Sequence, residues 1–407
     1  MRVIGERPER RAGVAWLVLV VLLLFSIAAP LNQYKVPPIM PVLMQAFNVH
    51  ASEAGLLMSV YALAGLVLAI PAGFIFQRAG HLLTPLIAGG SIVLGALLGA
   101  LSPSVEGLLA SRVIEGIGTS FMAVLAPAVV SMWFAANRRG VAMGIWANWV
   151  PLGSITTLLL APYLAQALSW RAVWWFGAGY ALVVTVLCLL FVGPPPVANG
   201  AAGVAAEAMP PLDPAATRRL LRNRNLWLLS LAFAFFCAAF VGGFSFLPTY
   251  LNEVHNIPLP QGSAWASLAR VTAILAAPLA GGLSDRIGSR KIPYMLGFIL
   301  SGLSLPLVLL FTGKALIGLI LVQGAVTSLA PPNIFSAAIE TAGDERLGGL
   351  AMGVIMVGQN AGMLVGPLLF GLLVETRGGW PLAFCGLALV GLLAALAGSL
   401  AKTSAQL

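Results

Sequence analysis

The chain has 407 residues, 59% of them hydrophobic and 9% charged, whereas an ordinary soluble domain carries roughly a quarter charged residues. Such a composition excludes a monomer dispersed in water. The formal charge of +9 does not point to nucleic acid either, because the basic residues stand in the gaps between apolar runs and do not gather on one soluble face.

A membrane-spanning helix needs about 20 mainly apolar residues, so the chain has room for about a dozen. At the start, Arg2, Arg7, Arg10 and Arg11 precede the apolar run from Val14 to Ala29. That is the layout of a signal peptide, and the many later runs make it an uncleaved signal anchor. Apolar stretches between charges, prolines and polar breaks then predict spans over 14–46, 53–77, 82–101, 106–132, 140–165 and 171–193. The segment 194–225 is rich in Pro, Ala and Gly and ends in Arg218, Arg219, Arg222 and Arg224; it reads as a cytoplasmic linker. A second set of spans follows over 226–252, 262–283, 291–312, 315–340, 347–374 and 380–401. The predicted organisation is all-α: a six-helix bundle over 1–193, the linker 194–225, and a second six-helix bundle over 226–407.

Lys and Arg concentrate in cytoplasmic loops. With both termini inside, the inner segments hold Arg78, Arg138, Arg139, the linker arginines, Arg286, Arg290, Lys291 and Arg346, while the outer ones hold Arg171, Lys314 and Arg377. This predicts a multi-pass protein of the inner (plasma) membrane with cytoplasmic termini. The halves also repeat each other at a displacement of about 208 residues. Ala142-Met143-Gly144 recurs as Ala351-Met352-Gly353, Glu115-Gly116 with Thr119-Ser120 as Gln323-Gly324 with Thr327-Ser328, Pro41 as Pro248, and Trp170 as Trp380.

After the second predicted span stands Gly73 with Gln77, Arg78, Gly80 and His81, and after the eighth Gly281 with Asp285, Arg286, Gly288, Arg290 and Lys291. The first glycine of each group suits a close helix approach, the acid and base suit a pair or a cap, and the later glycine suits a tight turn. This G-x-x-x-D-R-x-G pattern resembles the signature of the major facilitator superfamily. In the fourth span, Arg112-Val-Ile-Glu115-Gly116-Ile-Gly118 is similar to that superfamily's R-x-x-x-G-x-G motif. Gln77 departs from the family aspartate. The fifth span, with Trp146, Asn148, Pro151 and Gly153, lacks the glycine-proline pattern of many drug/proton antiporters. The resemblance implies a transporter whose halves rock about a central site, and internal repeats joined by a flexible linker lead independently to a site near the midplane.

A charge inside a span is costly and needs a partner or a wet cavity. Lys35, Arg112, Glu115 and Arg270 are the clear cases. Lys35 lies about two thirds along the first span and Arg270 roughly 12 Å from the outer end of the eighth, so the two could clamp an anion between the halves; snorkelling of Lys35 and an acid partner for Arg270 are the structural alternatives. An arginine in the eighth helix is also similar to what the oxalate/formate exchangers of the superfamily place there, although their lysine in the eleventh is replaced here by Gln359 and Asn360. Arg112 and Glu115 are spaced for an ion pair on one helical face; alternatively Glu115 is a proton-coupling carboxylate. Asn148, Gln359 and Asn360 can orient a solute or bond helices together. Asn32, Gln33 and Tyr34 make the end of the first span too polar for lipid, and Trp146 and Trp149 can form an aromatic wall. Glu340 reads as a solvated or capping acid. His50 and His255, at matching outer ends, read as loop histidines with no metal, and Cys188, Cys237 and Cys385 as packing residues.

No P-loop is present in the sequence, so energy must come from a gradient or from exchange. The expected protein is not an enzyme and uses no cofactor. Its partners are a small-molecule substrate and the lipid bilayer, with no nucleic acid, and it acts as a monomer. The leading reading is a secondary transporter of a small organic or inorganic anion, by proton symport or exchange. The alternatives are an exporter of amphipathic compounds and a non-transporting membrane sensor.

Overall fold

A computed structural model describes residues 8–68, 71–134, 136–192, 214–343 and 347–402. All its regular elements are helical, and twelve helices are long and apolar enough to cross a membrane. The expected spans are recovered in order, from Gly13–Gln33 to Gly379–Leu400. Part of the expected linker, 194–213, lies outside the described residues; the rest includes a short helix, Pro214–Leu221.

A pair of prolines marks the break in the first span. The first helix ends at Gln33, followed by a turn, a 3-10 turn over Pro37–Ile39 and the helix Met40–Phe47. A proline has no N–H, so Pro37 cannot close the helical bond to the carbonyl four residues back, that of Gln33. The expected continuous span over 14–46 is therefore two helices with an irregular joint.

The second span differs from expectation. Its helices are Ala51–Ser59 and Tyr61–Leu68, and the next helix runs unbroken over Pro71–Leu101, through the predicted turn at Gly80. An internal glycine costs a helix only about 1 kcal/mol, so Gly80 does not by itself interrupt it. Gly73, Arg78 and Gly80 thus lie on a helix, and their side chains are outside those described.

Packing follows the predicted repeat. The first span packs on the fourth, fifth and sixth, and the third on the fourth and sixth. The seventh packs on the eleventh and twelfth, the eighth on the tenth, and the ninth on the twelfth. Two symmetry-related crossings join the sets, the second span against the eleventh and the fifth against the eighth. Small residues make these contacts close: Gly362 and Gly366 lie against the backbone of Ala234 and Ala238 in the seventh span, the small-residue mode expected between helices in lipid. Cys188 and Cys237 are buried, but Cys385 is exposed on the last span and does not serve the core.

The crossings are tight on one side only. A Cβ on Gly55 would stand 2.5 Å from the Pro367 carbonyl oxygen, and one on Gly371 2.5 Å from that of Ala51. Ser52 N donates to Glu375 Oε1 at 2.6 Å on the same side. At the opposite ends of the spans, towards the termini, a Cβ on Gly140, Gly144, Gly281, Gly282 or Gly349 would meet nothing within 4 Å. The second and eleventh spans are thus in close contact on the side away from the termini, and these terminal-side glycines have no such neighbour. The close approach expected at Gly281 is accordingly not made in this state. Gly288 does make the expected turn, with φ +67° at the helix C-cap.

Gly55→Val or Gly371→Val is expected to disfavour this closed side by about 1–3 kcal/mol, the usual penalty of overpacking a tight contact. Spin labels on Asn48→Cys and Thr376→Cys should move apart in either variant, and unchanged distances would refute the closed-side assignment.

Candidate functional site

The irregular backbone of the first two spans lies at membrane depth, where each unsatisfied carbonyl is costly. Arg112 in the fourth span satisfies these groups. Its Nη2 donates to the Gln33 carbonyl oxygen at 2.7 Å, the one that Pro37 leaves without a helical partner, and its Nη1 to that of Asn32 at 2.6 Å. Its Nε donates to the Leu57 carbonyl oxygen at 2.9 Å, just before the second span breaks. The guanidinium lies over the Tyr61 ring at 4.5 Å, whose hydroxyl contacts the Ala29 carbonyl oxygen at 3.0 Å and Thr119 Oγ1 at 2.5 Å.

Glu115, one turn along, supplies the counter-charge. Its Oε2 accepts from Arg112 Nη1 at 2.5 Å and its Oε1 from Lys35 Nζ at 2.6 Å, and all three side chains are fully buried. The Lys35 ammonium also donates to Asn32 Oδ1 at 3.0 Å and lies 4.5 Å from the Trp174 ring centroid. The Arg112–Glu115 pair expected from the sequence is present, and Lys35 joins it from the joint of the first span. Lys35 is therefore not snorkelling towards an interface. The cluster ties together the first, second, fourth and sixth spans and holds two cations against one carboxylate.

Arg270, in the eighth span, has different surroundings. Its guanidinium carbon stands 4.3 Å from the Phe244 ring, 4.9 Å from Tyr34 and 5.2 Å from Phe240. Its Nε and Nη2 are buried and have no hydrogen-bond partner. No carboxylate among the described residues pairs with it. Ring faces partly stabilise a cation, by up to about 2 kcal/mol when desolvated, but they do not accept its N–H groups. Two nitrogens of this cation therefore stand buried without an acceptor. Tyr34 comes from the first-span joint, so the cage is shared between the two sets of spans. Its phenylalanines were legible beforehand: Phe233, Phe236, Phe240 and Phe244 recur at helical spacing on the seventh span and stack in succession.

The expected amide ligands fall in three settings. Asn148 sits at a break between the helices Ala136–Trp146 and Trp149–Ala167, and its Nδ2 donates to the carbonyl oxygens of Gly144 and Ile145. Trp146 and Trp149 stack across that break at 5.6 Å, and Trp146 donates to Ser26 Oγ at 3.0 Å. Asn360 donates back to the Met356 carbonyl oxygen at 2.8 Å and packs against Gly65 of the second span. Gln359 keeps a buried Oε1 with no partner. In the switch motif, Asp285 pairs with Arg290 at 2.5 Å, not with the exposed Arg286, and Arg290 also holds Glu340 at 2.9 Å. Glu340 is thus an ion-pair partner and not merely a solvated or capping acid. His50 caps the helix Ala51–Ser59, with its backbone N–H on Glu53 Oε2 at 3.0 Å.

A family model described as Major Facilitator Superfamily matches residues 22–271 and 255–404. The chain is 26% identical over 406 residues to the probable sulfoacetate transporter of Cupriavidus necator, covering 92% of this chain and 91% of that protein. It is 24% identical over 362 residues to the hexuronate transporter of Bacillus subtilis, covering 84% of each. In fold it is similar to the crystal structure of a bacterial homolog of the human lysosomal transporter Spinster in an inward-facing and occupied conformation. That match has a TM-score of 0.80 at 15% identity and covers 99% of this chain and 98% of the other.

Removing the single carboxylate from the buried cluster should be worse than removing either cation's excess. Glu115→Gln leaves Lys35 and Arg112 uncompensated and is expected to destabilise by about 3–5 kcal/mol, whereas Lys35→Met leaves a matched pair. Thermal unfolding in detergent should rank the variants in that order, and equal losses would contradict the charge balance described.

Proposed function

The chain belongs to the major facilitator superfamily, and from that premise we propose that it carries a small anion across the plasma membrane with Arg270 as the residue that holds the substrate's negative charge. It is a secondary transporter, not an enzyme. The observation that carries the anion assignment is the guanidinium in its aromatic cage, two of whose nitrogens are buried without a hydrogen-bond partner. A fixed buried cation without an acid is unfavourable in the empty protein and is relieved when an anion arrives. Substrate entry then supplies both the charge and the hydrogen-bond acceptors that the protein lacks.

The names of the relatives support an organic anion. Sulfoacetate and a hexuronate both carry a carboxylate, and two relatives that cover most of the chain are named for moving them. A carboxylate matches the fork of a guanidinium. Tyr34 would close the site from the first set of spans, and the free Oε1 of Gln359 would accept a hydroxyl from the substrate. Asn148 and Asn360 complete the polar lining in this proposal.

Transport proceeds by alternating access: the six-helix units over 1–193 and 226–407, joined through 194–225, rock about the site. Lys35 sits beside Tyr34 in sequence and is bound to Glu115, so movement of the first-span joint couples the Arg270 cage to the buried charge cluster. The driving force is a proton gradient, with Glu115 as the exchanging carboxylate, or exchange for another anion. The excess of Lys and Arg on the terminal side supports cytoplasmic termini in this proposal, with the protein working as a monomer.

Arg270→Gln is expected to weaken binding of small carboxylates about 10- to 100-fold, the range for losing a charged hydrogen-bond partner. The empty variant should melt no lower than the parent, since the substitution removes an unpaired buried charge. Ligand-dependent thermal stabilisation and uptake into proteoliposomes, against mono- and dicarboxylates, inorganic anions and cationic drugs, check both points. Stabilisation by amphipathic drugs alone, equal in parent and variant, would replace the anion assignment with an exporter.

A further inference from the structure

A second set of unpaired cations lies at the membrane surface. The helix Pro214–Leu221 precedes the seventh span and carries Arg218 and Arg219 in its last turn, with Arg222 and Arg224 just beyond. Leu220 is buried and holds this helix against the core of the second set of spans. Arg218, Arg219 and Arg222 are exposed. With Ala215 and Asn223 they line an open hollow of about 720 Å³. Among the described residues no carboxylate pairs with any of the four arginines. Arg290 on the same side of the molecule has two acidic partners.

The position of the hollow matters as much as its charge. Arg224 opens the seventh span, so the hollow stands where the hydrocarbon layer begins. Trp227 and Leu221 are 44% and 38% exposed beside it, and Trp227 Nε1 donates to the Leu221 carbonyl oxygen at 2.7 Å. An indole fixed at this depth belongs to the aromatic belt of a membrane protein. Polar cation and apolar shoulder are therefore adjacent and point to an amphipathic ligand.

We infer that the hollow binds the phosphate headgroup of an anionic phospholipid, with its acyl chains lying along Leu221 and Trp227. Arginine forks match phosphate oxygens in number and geometry. Basic segments next to a span attract anionic lipid of the inner leaflet. Free phosphate offers the same oxygens but nothing for the apolar shoulder. A lipid held here braces the start of the seventh span, where Lys402 N donates to Asn225 Oδ1 at 3.2 Å and Lys291 Nζ binds the Ser399 and Ala401 carbonyl oxygens at 2.8 and 3.0 Å. The inference is independent of the substrate assigned to Arg270.

The test uses the full chain in detergent, titrated with phosphatidylglycerol, with phosphatidylcholine of the same acyl chains, and with inorganic phosphate, while native mass spectrometry counts bound lipid. Phosphatidylglycerol is expected to be retained in preference, with affinity falling about fivefold for each of Arg218→Gln, Arg219→Gln and Arg222→Gln. Arg377→Gln, an exposed arginine at the opposite end, should change nothing. Trp227→Ala should weaken phosphatidylglycerol as well. Equal retention of the two lipids, retention unaffected by the triple substitution, or displacement by equimolar inorganic phosphate would each overturn the inference.

Discussion

The guanidinium of Arg112 is the interaction on which the rest of the first half depends. The breaks in the first and second spans free carbonyl groups where water is absent, and such breaks survive only if protein groups satisfy them. Arg112 does so for Asn32, Gln33 and Leu57 at once. A cation that caps three carbonyls must itself be neutralised, which Glu115 does from the same helical face. Because Glu115 has a second oxygen, it also fixes Lys35 and with it the joint that carries Tyr34. Backbone irregularity, buried charge and the placement of a cage residue thus follow one from another.

The two halves use the same frame with different charge pairing. Gly116 packs against Tyr61 and Ala64, and its counterpart Gly324 packs against Ala269 and Thr272, so the fourth and tenth spans meet the second and eighth in equivalent ways. In the first half the tight crossing is accompanied by an acid and two bases. In the second, Gln323 replaces Glu115 and bonds Ser304 Oγ at 3.3 Å, while the cation has moved to Arg270 without any acid. The first-half cations share one carboxylate within a hydrogen-bonded cluster, while Arg270 has no carboxylate partner among the described residues.

The fit of span to span is glycine-dependent because apolar area gives helices no preference for one another over lipid. Close contact at Gly55 and Gly371 stands beside open space at Gly140, Gly144, Gly281 and Gly349. Asp285, Arg290 and Glu340 bind the end of the eighth span to the tenth.

The sequence by itself determined the number and order of the spans, because burial of backbone in hydrocarbon demands long apolar helices whatever their neighbours are. It also determined the repeat, the Arg112–Glu115 pair and the turn at Gly288, all of which are local in spacing or dictated by φ. Only the tertiary structure decided that Lys35 turns to Glu115 while Arg270 finds rings and no acid, since those partners lie on different spans. Nor could helix periodicity tell that the helix would run on through Gly80, or that Arg290 would take the partner expected for Arg286. In a chain where nearly every residue is apolar, hydrophobicity places a side chain in the membrane but does not choose the helix it faces. That choice is made by the few hydrogen bonds and charges that lipid cannot satisfy.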